Sequence, residues 1–476
     1  MRKWFLLIAM LLLLPVVCSG ETVYVSPGGL GEALADCRNG DVIELGDGTY
    51  SAETENFPLT VNAAVTVRAA EGAIPVIDAP SGKDALRIEA HGVTLQGLEI
   101  RFRRTGVYAV GNDLTMEDCR IILPEGARRI SACGMWCGGI CRMTLRSCAF
   151  IGCGIALAGP PLSERSENLP KLTGLFEVGE DPEYFTSHTV TGCTVNGREL
   201  FYAAGMDEVT PPEGAGEIIC CGCRKVTVLG ADVSGGSIGI TLAYNDSVLA
   251  ENCRADLCGI FGIYVAKCND ARVIDCTAAE TNHGIDIRAC EHITLLRCEA
   301  SGCEQGLFFS SVSNSVMENC RVTDTRQGYF MAGGTGNRMT ACLVSGSENG
   351  IHLEKCGRVE IAGCTVEKCS VCGVRIDRSP VTFSGNTLQE NWVGIIAYGH
   401  EAADITDNVF NRNKNCGLYL DSIARSRISG NRFTGSGVYS VIAKGTTAGS
   451  VWSDNETDVP PDFSSLTEAF TEEFGE

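Results

Sequence analysis

Aromatic and charged residues recur at two fixed distances after a series of evenly spaced glycines. The residue two positions after each glycine is usually aromatic or charged, and two positions later another such residue often follows. Residues two apart on an extended strand share a face. Aromatic rings stack on the C–H faces of sugars, and charged groups hydrogen-bond sugar hydroxyls. The pattern therefore predicts a carbohydrate-binding face made of Tyr264, Asp286, Arg288, Phe308, Phe330, His352, Glu354, Arg375, Asp377, Tyr398 and Tyr419.

Three of these residues carry side chains suited to acid–base or nucleophilic catalysis. Glu354 and Asp377 lie one repeat apart, near the carboxyl separation that retaining glycosidases use, and His352 lies within reach as a base. These three are the catalytic candidates. The competing interpretation is a sheet surface with ordinary cross-strand pairs, such as Glu354 beside Arg375, and the sequence leaves both open.

Cysteines supply the candidate metal ligands. Cys133, Cys137 and Cys141 are spaced by four residues, and thiolates suit Cu(I) or Zn²⁺. The sequence assigns no cofactor and leaves copper and calcium open. The favoured alternative is that these cysteines are core thiols or local disulfides.

Two landmarks repeat in phase along the chain. A glycine followed by an aliphatic or aromatic residue recurs every 21 to 23 residues from Gly239 to Gly417. Internal repetition at this period is typical of a solenoid. A cysteine or asparagine keeps the same interval at Cys253, Cys276, Cys298, Cys320, Cys342, Cys364, Asn386, Asn408 and Asn431.

The residues within each unit indicate which solenoid forms. Short segments such as 284–288 and 350–354 alternate between apolar and polar residues, and Gly, Asn and Asp punctuate every unit. Alternation predicts strands with one inward face. The sequence therefore predicts an all-β fold, a right-handed parallel β-helix with three short strands in each coil of about 22 residues.

Stacking gives the repeated cysteines a structural role. Equivalent positions of successive coils lie roughly 4.8 Å apart, so the six cysteines from Cys253 to Cys364 are expected to form a buried ladder of reduced thiols. The alternative is a set of disulfides, which an exported protein with 26 cysteines would favour.

The ends of the chain differ from the repeats. Residues 1–20 combine basic residues, a short apolar segment and small residues, the pattern of a signal peptide for export. Residues 21–92 are expected to form a cap, with a helix at 30–37, and the first coils. Residues 93–453 are expected to form the β-helix, with an insertion at 160–216 that leaves it as a loop. Residues 454–476 read as an acidic tail, with a short helix near 466–474.

The charge balance limits the partners. The formal net charge of −21 argues against nucleic acid, because phosphate binding needs clustered positive charge. After residues 1–20 no second long apolar segment follows, so we expect no transmembrane segment in the exported chain.

One region resembles a known family. The segment 188–202, with Asn196-Gly197 as its most specific part, resembles a recurrent segment of NosD-like β-helix proteins, and 216–228 resembles the segment that follows it. The resemblance covers roughly 94–431, while 23–27, 48–50 and 57–59 look like an N-terminal module of secreted β-helix proteins. Here cysteine largely replaces the asparagine ladder of the family.

The resemblance implies a β-helix of the carbohydrate-binding or sugar-hydrolase type. The family's namesake is a periplasmic accessory protein for copper-site assembly, which makes metal handling the first alternative. A polysaccharide lyase, hydrolase or epimerase is the second, although the paired-Asp and Asp-Pro-His-Asp motifs of such β-helix enzymes are absent. The leading expectation is an exported protein, extracellular, surface-bound or periplasmic, that binds extended carbohydrate.

Overall fold

Two adjoining stacks of β-coils make up the computed structural model, which describes residues 20–160, 178–399 and 401–471. Each full coil contributes one short strand to each of three sheets, and strands of successive coils pair in parallel. The predicted all-β fold of stacked parallel coils is thereby confirmed.

The first stack contains sheets 1 to 3. The strands of sheet 1 are Thr22–Val25, Val42–Leu45, Thr66–Ala69, Thr94–Gln96, Thr115–Glu117, Thr144–Arg146 and Thr189–Thr191; those of sheet 2 are Gly48–Ser51, Pro75–Asp78, Glu99–Arg101, Arg120–Ile122, Ala149–Ile151 and Thr194–Val195; those of sheet 3 are Leu59–Val61, Asp84–Ile88, Thr105–Ala109, Cys133–Gly138 and Ile155–Ala158.

The second stack contains sheets 4 to 6. The strands of sheet 4 are Arg198–Ala204, Glu217–Cys221, Ile238–Ala243, Phe261–Ala266, His283–Arg288, Gln305–Ser310, Gln327–Ala332, Asn349–Glu354, Cys372–Asp377, Val393–Tyr398, Cys416–Asp421, Tyr439–Thr446 and Asp462–Glu468; those of sheet 5 are Glu208–Val209, Lys225–Leu229, Ser247–Glu251, Ala271–Ile274, Ile293–Leu296, Val316–Glu318, Asn337–Thr340, Val359–Ala362, Val381–Ser384, Ala403–Thr406, Arg427–Ser429 and Val451–Ser453; those of sheet 6 are Thr277–Ala279, Glu299–Ser301, Arg321–Thr323, Leu343–Ser345, Thr365–Glu367, Thr387–Gln389, Val409–Asn411, Arg432–Thr434 and Glu456–Thr457.

A hairpin divides the two stacks. Thr194–Val195 pairs antiparallel with Arg198–Ala204, whereas the other named strand pairs of the described residues are parallel. Asn196 and Gly197 form the turn with φ values of 53° and 77°. Asn-Gly favours such a turn because both residues tolerate positive φ. The turn reverses the chain, ending the first stack and opening the second.

The expected insertion at 160–216 is largely part of the sheets. Its described residues include the last strands of sheets 1 and 2, the first strands of sheets 4 and 5, and a helix at Glu183–Thr186. The prediction of a loop was therefore wrong for this part, because the hairpin interrupts the repeat period without leaving the sheets. Residues 161–177 of the insertion lie outside the described residues.

The repeat glycines lie where successive coils approach most closely. The residues that follow them are buried and in register, and Ile263 pairs with Ile285, which pairs with Leu307. A Cβ on Gly284 would lie 2.6 Å from the carbonyl oxygen of Gly306. Glycine is thus required by this approach, and the predicted interior stack is confirmed.

The cysteine ladder is buried and unbridged. The six thiols from Cys253 to Cys364 are free and buried, and Cys276 donates to the carbonyl oxygens of Ala250 and Ile274 at 3.5 and 3.3 Å. At Asn386 the side-chain amide takes over, donating to the oxygen of Ile361 at 3.0 Å. The thiol interpretation of the ladder is therefore confirmed.

Alkylation under denaturing, non-reducing conditions should label all six ladder thiols, because none of them shares a disulfide. Peptide mass mapping measures the label at each cysteine, and a sample reduced beforehand serves as the control for full reactivity. Recovery of most of the six as disulfide-linked peptides would contradict this expectation.

The two ends of the described chain close the stacks. The predicted cap helix is confirmed at Leu30–Asp36, where it contacts Leu59–Val61. The helix predicted near 466–474 is wrong, since Asp462–Glu468 is the last strand of sheet 4. Phe463, Leu466 and Phe470 pack against the interior of the last coils, which favours a strand there.

Residues 1–19 and 472–476 lie outside the described residues, and so does the expected signal peptide apart from Gly20. Within the described ranges, neither helix has the length and apolar composition needed to cross a membrane.

Candidate functional site

The outward side of sheet 4 carries the predicted binding residues. Its side chains form three columns, located one residue before, two residues after and four residues after each repeat glycine. We call this surface, from Ile238 to Lys444, the sheet 4 face. Strict alternation predicts only the last two columns, but the chain bends at the glycine, and this brings the residue before it to the same side. His283 shows this, because its imidazole contacts the Asp286 carboxylate at 2.6 Å.

The first coils of the sheet 4 face are covered by the first stack. Every residue of Ile238–Ala243 and Phe261–Ala266 is buried, and their outward side chains share an apolar cluster with Trp136. The hydroxyl of Ser237 accepts hydrogen bonds from the backbone N–H groups of Gly134 and Gly154 at 3.1 and 2.9 Å. Contact between the stacks thus removes these coils from solvent.

Tyr264 was expected to lie on the exposed face, and that expectation is wrong. Its exposed fraction is 0%, because its strand lies beneath the first stack. Its ring stacks on Phe261 with centroids 5.2 Å apart. Tyr264 therefore contributes to the contact between the stacks.

Asp286 is also fully buried, contrary to its expected position on the surface. Arg288 donates to its carboxylate from Nε and Nη2 at 2.7 and 2.8 Å, and the guanidinium lies 5.0 Å from the Phe308 ring centroid. Burial by itself raises the pKa of Asp286, but the charge and hydrogen bonds of Arg288, with the contact from His283, lower it overall. The carboxylate is ionised and already neutralised.

Phe308 and Phe330 are half-buried neighbours on adjacent coils. Their centroids are 5.1 Å apart with an interplanar angle of 13°. Arg288 lies over Phe308, and His352 meets Phe330 edge-on at 5.1 Å. Sugar rings stack on accessible aromatic faces. The faces that Phe308 and Phe330 turn toward each other are covered, because the two rings stack. The structure therefore favours a packing role for this pair over the stacking role expected from the sequence.

The three catalytic candidates do come together. Glu354 and Asp377 are register partners on adjacent coils, as predicted. The Asp377 carboxylate accepts from Arg375 Nε at 2.8 Å and contacts His352 Nε2 at 3.0 Å, while Gln327 Nε2 lies 2.9 Å from His352 Nδ1. One neutral tautomer, with its proton on Nε2, satisfies both contacts of the imidazole. Asp377 and His352 are thus engaged in a network that orients Arg375.

The last coils of the sheet 4 face become apolar. Cys372, Val393 and Cys416 form a small buried cluster, against which Ile396, Tyr419 and Ile442 pack. Tyr398 and Tyr419 are 6.1 Å apart and tilted by 58°, so their ring faces do not close on one another. Arg375 and Lys444 lie 5.5 and 5.4 Å from the centroids of Tyr398 and Tyr419.

Sequence reasoning missed the column before the glycine and the rim beside it. Gln327 was absent from the predicted site although it orients His352. Trp392, immediately before that column, is 51% exposed. Gln327 and Trp392 could have been found by asking whether the repeat glycine bends the strand. With such a bend, residues before and after the glycine lie on the same face.

The predicted metal ligands do not converge. Cys133 and Cys137 are buried within one strand and Cys141 lies beyond its end. Burial raises the pKa of all three thiols, which disfavours the thiolate form that binds metals. Among the described residues, no three His, Cys, Asp or Glu side chains come together to hold a metal ion. The residues present therefore do not fit a copper or calcium site.

Two family models match the end of the first stack and most of the second. Residues 303–455 match the model described as periplasmic copper-binding protein (NosD), and residues 184–303 match the right handed beta helix region. The first match contains the exposed part of the sheet 4 face. A search of curated proteins finds no match.

Solved structures show distant likenesses. The periplasmic alginate epimerase AlgG is 12% identical, with 90% of this chain and 85% of that chain covered and a TM-score of 0.30. The A-module of an Azotobacter vinelandii mannuronan C-5 epimerase is 12% identical, with 94% of each chain covered and a TM-score of 0.30. Pectate lyase Pel9A is 11% identical, with coverages of 83% and 81% and a TM-score of 0.21. Nothing about activity follows from likenesses at this level.

Proposed function

We propose that this chain, a NosD-like right-handed parallel β-helix repeat protein, binds an extended carbohydrate along the exposed part of the sheet 4 face. One observation carries the proposal: aromatic, charged and amide side chains remain accessible together from Asn349 to Lys444, whereas the coils of Ile238–Ala243 and Phe261–Ala266 are covered by the first stack. A flat polar and aromatic surface of this kind suits sugars, which have both apolar faces and hydroxyls.

The geometry suits a polymer better than a single sugar. The accessible strip crosses five coils, from Asn349–Glu354 to Tyr439–Thr446, a span of roughly 19 Å at 4.8 Å per step. Arg375 and Glu354 stand at one end as hydrogen-bonding groups, and Tyr398 and Tyr419 stand at the other as rings. Each group would contact a different part of one extended chain.

Binding is better supported than catalysis. A general base needs a free lone pair directed at the substrate, whereas both nitrogens of His352 and the Oδ2 atom of Asp377 are already partnered. Copper handling, which the matched family description suggests, finds no suitable ligand group in the described residues. We place the protein outside the cytoplasm, on the strength of the signal-peptide pattern at 1–20 and the periplasmic family match.

Replacing Tyr398 and Tyr419 together with alanine should weaken binding of a polysaccharide found by glycan-array screening. An aromatic contact is worth about 0.5–1.5 kcal/mol, so the double variant should lose roughly tenfold or more in affinity, measured by calorimetry. The matched control is Phe308→Ala with Phe330→Ala, the same loss of two rings on the same face, where the facing sides are closed.

The control variant should have a lower melting temperature but nearly the same affinity for the polysaccharide. The reason is that the Phe308 and Phe330 rings pack on each other, and Phe308 also packs on Arg288. Absence of any ligand in the screen, or full affinity of the Tyr398 and Tyr419 double variant, would remove the support for the proposal.

A further inference from the structure

The cations of the sheet 4 face are largely neutralised within the protein. Arg288 donates two hydrogen bonds to buried Asp286, and Arg375 donates to Asp377 at 2.8 Å. A guanidinium whose charge is already matched by a carboxylate offers little net attraction to a further anion. Polymers that carry a carboxylate on each sugar are bound through unmatched basic groups.

The charges of this surface show no excess of basic groups. The three columns from His283 to Lys444 hold three cations and four carboxylates; outside the two Arg–Asp pairs lie Glu354, and Asp421 with its register partner Lys444. Residues flanking the strands leave no excess of charge: Lys355, Arg378 and Arg326 add three cations, and Glu304 and Glu348 add two carboxylates, so that cations and carboxylates become equal in number.

One rim of the same strip is apolar. Val371, Trp392 and Val438 directly precede the column of Cys372, Val393 and Tyr439, and they are 48%, 51% and 53% exposed. Exposed apolar groups at three of four successive coils are unusual on a chain with a net charge of −21. An indole and two valines along this rim favour contact with C–H groups over contact with carboxylates.

We infer that the ligand of the sheet 4 face is an uncharged polysaccharide, with Trp392 as a stacking residue at its edge; the inference rests on the proposed function and narrows its ligand. Hydroxyls would bond to Arg375, Glu354 and Asn349, whose side chains border the strip. A uronate polymer would meet Glu354 and Asp421 with like charge.

Calorimetry of the full chain with uncharged polymers (glucans, mannans and galactans) and with uronate polymers (alginate and polygalacturonate) tests this. Each titration is run with a chelator, with added Ca²⁺, and at low and high salt. We expect binding of an uncharged polymer with little dependence on salt or Ca²⁺. Preference for a uronate polymer would overturn the inference while keeping the proposed function, and failure of both polymer classes would overturn the proposed function.

Two variants sharpen the distinction. Trp392→Ala should weaken binding of the uncharged polymer about fivefold or more, whereas Val409→Ala, at a residue of similar exposure on sheet 6, should leave it unchanged. Replacing Glu354 with Gln and Asp421 with Asn should raise uronate binding at low salt by roughly fivefold for each charge removed. Unchanged binding by Trp392→Ala, or no gain for uronates, would count against the inference.

Discussion

Replacing Gly350 with alanine should lower the free energy of unfolding by roughly 1–3 kcal/mol, the range for overpacking a close-packed interior. A Cβ on Gly350 would lie 2.4 Å from the carbonyl oxygen of Gly373 and 2.7 Å from a methyl group of Val366. The first of these atoms is backbone of the next coil, so the clash is relieved only if the two coils move apart. Denaturant titration followed by circular dichroism measures the loss.

Gly214→Ala is the matched control. A Cβ on Gly214 meets no atom within 4 Å, and its φ is not in the left-handed region. Gly→Ala at such a site usually stabilises a protein by about 0.4–1 kcal/mol through the unfolded chain. If Gly350→Ala behaved like Gly214→Ala, close approach of the coils would not explain the repeat glycines.

The same close approach explains why the second stack could be predicted from its sequence. Each repeat glycine has the carbonyl oxygen of the next one as a near neighbour, as at Gly284 and Gly306, so the requirement is local and recurs with the coil. The ladder positions Cys364 and Asn386 could be predicted for the same reason. The side-chain oxygen of Asn386 accepts a hydrogen bond from the backbone N–H of Cys364, one coil away, at 2.8 Å. Period and side-chain alternation therefore determined both the stack and its inward ladder.

The candidate site was predicted only in part, because its exposure depends on contacts distant in sequence. Ser237 is bonded to Gly154 and Gly134, 83 and 103 residues away, and this contact buries Tyr264. No periodicity within the second stack encodes the position of the first. Glu354 and Asp377, by contrast, were correctly placed side by side, since adjacent coils alone decide their separation.

A single buried carboxyl at the contact between the stacks gives the second prediction. Glu217 is fully buried; its Oε1 accepts from the backbone N–H of Ile155 at 3.0 Å, and its Oε2 has no hydrogen-bond partner among the described residues. Burial raises its pKa well above that of an ordinary glutamic acid. Burial also raises the pKa of the nearby Cys258 thiol, to about 12. Burial therefore favours the protonated form of Glu217 in the folded protein.

Because of Glu217, the protein should become easier to unfold as the pH rises. In the unfolded chain Glu217 ionises near its ordinary pKa of about 4.3, whereas in the folded chain burial raises its pKa and favours the protonated form. Between the two pKa values the free energy of unfolding falls by up to about 1.4 kcal/mol for each pH unit. Glu217→Gln keeps the shape and cannot ionise. The difference in free energy of unfolding between this variant and the parent should be near zero around pH 4. It should grow in favour of the variant as the pH rises to 8.

Asp286→Asn serves as a control of opposite sign. The pKa of Asp286 is lowered in the folded state, so its carboxylate adds stability that is present above the unfolded pKa and is lost as the pH falls through the folded one. Chemical denaturation of both variants and the parent between pH 4 and 8 should therefore show Glu217→Gln gaining on the parent with pH, and Asp286→Asn remaining below it. A constant difference between Glu217→Gln and the parent would mean that Glu217 is ionised in the folded protein, and that water or a cation reaches its unpartnered oxygen.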